Sequence, residues 1–357
     1  MSEPRIGELF AGYGGLGMGV QAVYGGSIAW VSDIDKGANK ILSHRFPGVP
    51  NHGDITTIDW SSVEPVDILT GGSPCQDLSH AGKRQGMTEG TRSNLWVAMR
   101  EAIAQLRPRM VVWENVRGAY SAAADSEVEP CAGCVGDGSG VHLRALGRVL
   151  GDLSDLGYDT RWHGLRAADV GAAHGRFRVF VVATDTRNAA YDWERACAES
   201  RQGSQVAALA ANLGHEWTRR AWDGRTGSTD GDRGTLTLLP TPMVGSDSPA
   251  AHGQISGQYR EAMSDALSRW GDYAAAIARW ECITGQAAPE PTQVGSRGNP
   301  QLSARFTEWL MGLPSGWITD VPGITRNEAL KACGNGVVPQ QAAEALRVME
   351  SWAEVAA

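Results

Sequence analysis

The strongest constraint in this sequence is an alternation, over residues 1–185, of short apolar runs with amphipathic stretches of helical period. Ile28–Val31, Val66–Leu69, Met110–Trp113 and Arg178–Val182 read as strands. Asn94–Leu106 reads as a helix, with Leu95, Met99, Ile103 and Leu106 on one face and Pro108 stopping it. Leu143–Leu156 repeats the pattern, and Gly157 is its expected C-terminal cap. Strands in alternation with helices predict an α/β fold built on a doubly wound, mostly parallel sheet.

Beyond about residue 186 the pattern changes. The polar, glycine-rich stretch Asp223 to Gly234 reads as an exposed loop, and Leu236–Pro240 as a short strand. Gly257 to Cys282 reads as one long helix with Tyr259, Met263, Leu267, Trp270, Ile277 and Trp280 along a stripe. Ala287–Pro300 reads as a linker, and Gln340–Trp352 as a helix that returns to the first domain. A chain of 357 residues, at roughly 150 per domain, suggests two domains with room for a sizeable core. No apolar run approaches the ~18 to 20 residues of a membrane span, so a soluble cytoplasmic protein without a membrane partner is expected.

Three features point to an adenosine-containing ligand. Leu9-Phe10-Ala11-Gly12-Tyr13-Gly14-Gly15-Leu16-Gly17 places glycines at a strand-to-helix turn, where the backbone can approach a nucleotide; a plain tight turn is the alternative. The next strand ends in Ser32-Asp33-Ile34-Asp35, and an acid about 20 positions after such glycines is suited to a ribose diol. Asp33 is the candidate, with a helix N-cap as its alternative role. Asp54, in Gly53-Asp54-Ile55, could accept from an adenine amino group.

Two further motifs carry chemistry. Gly71-Gly72-Ser73-Pro74-Cys75-Gln76-Asp77-Leu78-Ser79 follows an apolar run, so Cys75 belongs on a loop at the carboxyl end of a strand, the edge where active sites of open α/β sheets collect. A thiol there is a candidate nucleophile. Val111-Val112-Trp113-Glu114-Asn115-Val116 ends a second strand in an acid at the same edge. A carboxyl group beside a nucleophilic thiol suits proton donation to a ring nitrogen while the thiol attacks the adjacent carbon. Cys131-Ala132-Gly133-Cys134 offers half of a tetrahedral zinc site, but no spacing supports His142 or Cys197 as completion, so no metal is assigned.

With these motifs in order, the chain resembles the cytosine-5 DNA methyltransferases of the bacterial or phage type. Phe10-Ala11-Gly12-Tyr13-Gly14-Gly15, Pro74-Cys75-Gln76 and Glu114-Asn115-Val116 are similar to that family's first, nucleophile and glutamate motifs. Gly171-Ala172-Ala173-His174-Gly175-Arg176-Phe177-Arg178-Val179 resembles its arginine motif. Arg305 to Pro314 and Gly334-Asn335-Gly336-Val337-Val338-Pro339 resemble its ninth and tenth. Glu8 stands where an aspartate is frequent, and His174 where a glutamine is frequent.

The resemblance implies a Rossmann-like catalytic domain over 1–187 and 326–357, and a smaller target-recognition domain with hinge over 188–325. It implies S-adenosyl-L-methionine as cofactor, held by Phe10, Gly12, Gly14, Gly15, Asp33, Ile34, Asp54, Ile55, Pro74, Asn335 and Val337. Cys75 would be the nucleophile at C6 of a flipped-out cytosine and Glu114 the group at N3. Arg178 and Arg176 would hold the base or a flanking phosphate, two residues apart on one strand face. Double-stranded DNA would be the partner, contacted by Gln76, Ser79, Lys83, Arg84 and Arg117, with Arg219, Arg220, Arg225 and Arg233 as further candidates. A cognate restriction endonuclease is the other implied partner, and a monomer the expected state. The rival readings are a transfer-RNA cytosine methyltransferase, a catalytically silent DNA-binding relative, and a nicotinamide-dependent enzyme, which leaves Pro74-Cys75-Gln76 unexplained.

The net charge of −8, from 32 basic and 40 acidic residues, excludes a protein that coats nucleic acid by bulk charge. It does not exclude a DNA enzyme, because the charge is uneven. Residues 83–117 carry seven basic side chains against Glu89, Glu101 and Glu114, and 160–187 carry five arginines against Asp169 and Asp185.

Overall fold

A computed structural model of the chain describes residues 3–73, 95–120, 123–124, 143–188, 268–295 and 297–356. Its centre is a six-stranded sheet. In chain order the strands are β1 (Arg5–Leu9), β2 (Ser27–Ser32), β3 (Ile68–Gly71) and β4 (Met110–Val116). Two-residue β5 (Ala123–Ala124) and β6 (Leu143–Arg144) pair with each other outside the sheet, which β7 (Tyr158–Arg166) and β8 (Phe177–Asp185) complete. The strand order is β2-β1-β3-β4-β8-β7. The first four run parallel, while β8 is antiparallel to both β4 and β7. The sheet is mostly parallel and doubly wound, as the alternation of runs implied.

Helices cover both faces, which is why β2, β3, β4 and β8 read as apolar runs. Helices α1 (Gly15–Tyr24) and α8 (Pro339–Ala356) bury Leu16, Val20, Val23, Ala342, Leu346 and Met349 against one face. Helices α3 (Leu95–Leu106) and α4 (Ala145–Asp155) bury Trp96, Met99, Ile103, Val149 and Leu153 against the other. Helix α2 (Lys36–Arg45) follows β2. A third apolar cluster runs from Tyr13, Ile41 and Ala167 to α5 (Ala274–Thr284), α6 (Ala304–Leu310) and α7 (Arg326–Asn335), with Trp280 and Trp309 at its centre. Among the described residues, no helix is long and apolar enough to cross a membrane.

The departures from the sequence reading have physical causes. Three strands extend past their apolar runs at polar ends: β4 through Glu114 and Asn115, β3 through Thr70 and Gly71, β8 to Asp185. Edge strand β7, absent from the reading, buries only Tyr158 and Leu165 and has no apolar run. The long helix expected from Gly257 is broken by a 3-10 turn, Gly271–Tyr273, where Gly271 has φ +53°. The expected linker contains half of an antiparallel hairpin, β9 (Thr292–Val294) with β10 (Pro300–Leu302). Leu236–Pro240, the loop at 223–234 and the stripe residues before 268 lie outside the described residues.

Helix α8 closes one face of the sheet, and Leu346 on it is fully buried. Leu346→Ala is therefore expected to lower the unfolding free energy by about 2–5 kcal/mol in urea denaturation. An unchanged midpoint would mean that this helix is not part of the core.

Candidate active site

The functional side chains collect where β1, β2, β3 and β4 end and β8 begins. At the end of β1, Phe10 adopts φ +55°, a conformation that costs a bulky residue on the order of 1–3 kcal/mol. Gly12 and Gly14 follow at φ +59° and +85°, and a side chain on Gly12 would meet nothing, so the backbone faces open space there. The Gly12 N–H donates to Asp33 Oδ2 (2.8 Å), and the Asp35 N–H donates to Asp33 Oδ1 (2.8 Å). Asp35, not Asp33, is the N-cap of α2, accepting from Gly37 and Ala38 (2.9 and 3.1 Å). Burial raises the Asp33 carboxyl above its usual range, against the pull of its two backbone donors.

Beside these groups, Ile34 is 68% exposed, while Ile55 packs into the core. Asp54 caps the 3-10 turn Ile55–Thr57 by accepting from the Thr56 N–H (3.0 Å) and Oγ1 (2.8 Å), which lowers its pKa. A carboxylate oxygen has more than one acceptor site, so Asp33 retains capacity for a diol. Open glycine backbone, a carboxylate with spare lone pairs and an exposed apolar side chain fit a ribose and an adenine face.

The segment after α7 packs against this loop. The Tyr13 hydroxyl donates to the Val337 carbonyl (2.6 Å), and a side chain on Gly336 would strike the Tyr13 ring. Val337 is buried and Asn335 exposed. Arg176 lies just before β8 rather than on it, and its Nη2 donates to the carbonyls of Gly334 (2.9 Å) and Gly336 (2.6 Å).

On the other side, Glu114 of β4 and Arg178 of β8 form an ion pair, Nε to Oε1 at 2.5 Å, with Glu114 only 6% exposed. Burial raises the Glu114 pKa, and Arg178 and then Arg176 oppose that rise. A side chain on Gly72 would come within 2.8 Å of Glu114 Oε2. The Ser73 hydroxyl accepts from Trp113 Nε1 (3.0 Å) and Asn115 Nδ2 (3.3 Å), which ties the end of β3 to β4. Arg117, exposed in the 3-10 turn after β4, lies over the Phe177 ring at 5.9 Å. Pro74, Cys75, Gln76, Ser79, Lys83, Arg84, Cys131, Cys134 and the arginines at 219, 220, 225 and 233 lie outside the described residues.

Three groups that the sequence reading did not assign hold this arrangement. His174 bridges Leu310 O through Nε2 (2.9 Å) and accepts the Arg176 N–H at Nδ1 (3.4 Å). A carbonyl only accepts, so Nε2 carries the proton, and burial holds the pKa of the ring down. Glu308 is buried and accepts from the N–H groups of Gly316 (2.7 Å), Ile318 (2.6 Å) and Thr319 (2.7 Å), a structural role for the ninth motif. Glu8 is buried beneath α1 and accepts from the Gly17 N–H (3.0 Å). The sequence signalled it only as an acid standing where an aspartate is frequent in the resembling family.

The fold defines a doubly wound α/β protein with a mostly parallel sheet. More narrowly, the chain belongs to the C-5 cytosine-specific DNA methylase family, whose model matches residues 5–351. It is similar to the Type II methyltransferase M.HgiBI of Herpetosiphon aurantiacus, 34% identical over 185 residues that make up 51% of this chain and 37% of that relative. It is similar also to M1.ScrFI of Lactococcus lactis subsp. cremoris, 31% identical over 51% of this chain and 41% of that relative. The matches thus span about two fifths of those relatives' own lengths. The fold is shared with the S. pombe Dnmt2 methyltransferase (TM-score 0.52, 15% identity, 97% of this chain and 98% of that one). A mutant DNMT2 of Spodoptera frugiperda shares it too (TM-score 0.51, 14% identity, 97% and 99%).

Burial pushes the Glu8 pKa up to about 8, against about 4.3 for an ordinary glutamate in the unfolded chain. Between those values the unfolded chain sheds the proton and the native chain keeps it. Native stability should therefore fall as pH rises through this window, by up to about 1.4 kcal/mol per unit. Glu8→Gln keeps a neutral group of the same shape. Its stability relative to wild type is expected to climb steadily from about pH 5 to pH 8 in urea titrations; parallel profiles would refute the assignment.

Proposed function

We propose that this chain transfers a methyl group from S-adenosyl-L-methionine to C5 of a flipped-out cytosine in a specific double-stranded DNA sequence, through a covalent bond between Cys75 and C6. The observation that carries this reading is the buried Glu114–Arg178 pair beside Gly72 and Ser73, the anchor from which Pro74-Cys75-Gln76 departs. In such a site the cofactor would meet Phe10, Gly12, Gly14, Gly15, Asp33, Ile34, Asp54, Ile55, Pro74, Asn335 and Val337. When bound, it supplies an electrophilic methyl group.

The chain's own residues make C5 able to take it. C5 of an aromatic cytosine is a weak nucleophile. As Sγ of Cys75 bonds to C6, the ring electrons move toward N3 and C5, and Glu114 gives a proton to N3. Burial raises the proton affinity of Glu114, so its carboxylate can take up a proton and pass it to N3, and the positive charge of Arg178 stabilises the carboxylate left after the transfer. After methylation a base removes the C5 proton, the C6–Sγ bond breaks, and the N3 proton returns to Glu114. The base must leave the stack to reach Cys75, at a cost of a few kcal/mol.

Gln76, Ser79, Lys83, Arg84 and Arg117 are the proposed DNA contacts, and Arg176 anchors the Gly334–Gly336 segment through its carbonyls. Residues 1–187 and 326–357 form the proposed catalytic domain, and 188–325 carry target recognition and the hinge. A monomer acting in the cytoplasm, in a restriction-modification setting with a cognate endonuclease, completes the reading.

Transfer of a labelled methyl group should appear on duplex DNA and not on transfer RNA. Cys75→Ala is expected to abolish it, and Glu114→Gln to lower kcat by about a hundredfold to ten-thousandfold. Full activity in Cys75→Ala, or labelling confined to RNA, would overturn the proposal.

A further inference from the structure

Asn51 sits outside every motif, yet it joins the two acidic loops. Its backbone forms a one-residue bridge to Val31 at the outer edge of β2, closed by Val31 N–H to Pro50 O and His52 N–H to Val31 O, both 2.9 Å. Its side chain makes four further bonds. Oδ1 accepts from the N–H groups of Asp33 and Gly53, both 3.0 Å. Nδ2 donates to the Asp33 carbonyl (3.2 Å) and to Asn39 Oδ1 (2.7 Å). A primary amide has two donor hydrogens and two acceptor lone pairs, so each of its hydrogen-bonding positions is used. The Ser32 hydroxyl adds one more tie, donating to the Gly53 carbonyl (2.7 Å).

We infer that Asn51 is a positioning residue for the cofactor, fixing the Asp33 loop and the Gly53-Asp54-Ile55 turn at one separation so that ribose and adenine are met together. This rests on the cofactor reading above. A ligand gripped at two places binds better when the two grips are already spaced, because less ordering remains to be done on binding. The backbone bridge does not depend on the side chain, and Asn51 is exposed, so a substitution removes neither core volume nor sheet pairing. Only an amide serves at this position. Asp would keep the acceptor, lose both donors, and set a negative charge beside Asp33.

Calorimetric titration of the 357-residue chain with S-adenosylmethionine tests this. Wild type should bind saturably, and Asn51→Asp and Asn51→Ala should each bind about tenfold more weakly. Asn39→Ala, which removes one of the four bonds, should show a smaller loss. In turnover the defect should appear as a raised KM for the cofactor that vanishes at saturation, with the KM for DNA and the Tm unmoved. Wild-type affinity in both Asn51 variants would overturn the inference alone, as would a loss of kcat with cofactor affinity intact. A folded wild-type chain that binds no S-adenosylmethionine would overturn the cofactor reading and the inference with it.

Discussion

Glu114 and Arg178 are opposite charges held 2.5 Å apart where little water reaches them, and the rest of the site depends on that contact. It exists because β8 runs antiparallel to β4, with Glu114 opposite Phe180 and Val116 opposite Arg178. The start of β8 is thereby brought to the carboxyl end of β4. Were β8 parallel, its first residues would lie at the far end of the sheet. Burying two charges is costly, and removing either partner would leave the other uncompensated. The neighbours are shaped to keep the pair: Gly72 leaves room for the Glu114 carboxylate, and Ser73 is held by Trp113 and Asn115 on either side of it.

The other half of the site comes from the far end of the chain. Tyr13 and Val337, 324 residues apart in sequence, share a hydrogen bond, while Arg176 grips the carbonyls on either side of Asn335. Helix α8 then packs along α1, so the glycine-rich turn is held from both sides. Helix α7 adds charge to this closure: Glu328 pairs with Lys40 at 2.8 Å, and Lys331 pairs with Asp35. The second pair lies one residue from Ile34 and two from Asp33, so a surface ion pair is continuous with the candidate ligand loop.

The sequence made much of this legible, and its silences have reasons. Buried strands announce themselves by apolar runs, which is how β2, β3, β4 and β8 were found. Their polar ends were cut short because Glu114, Asn115 and Asp185 carry no apolar signal, although Glu114 belongs to the site. Edge strand β7 was missed for the opposite reason, since seven of its nine residues are exposed or half-buried. Periodicity carried the helix across Gly271, where one residue at positive φ breaks it. Whether Asp33 capped a helix turned on which carboxylate meets the first N–H groups of α2, a matter of geometry, and Asp35 meets them. Arg176 and Arg178 were expected to act from one strand face, but Arg176 precedes the strand and is committed to backbone carbonyls. Asn51 had no signal at all, because an amide that bridges two loops looks in sequence like any turn asparagine.

The central claim is that attack by Cys75 on C6, with Glu114 at N3, makes C5 of cytosine nucleophilic. It is tested most directly with a DNA duplex in which fluorine replaces hydrogen at C5 of the target cytosine. The fluorine cannot leave as a proton, so the enzyme should stop after methyl transfer with the C6–Sγ bond intact. Mass spectrometry of the digested complex should then find the modified cytosine on the peptide containing Cys75, in the presence of S-adenosylmethionine. Methylation of ordinary duplex DNA with no such adduct, or an adduct on a different residue, would contradict the account.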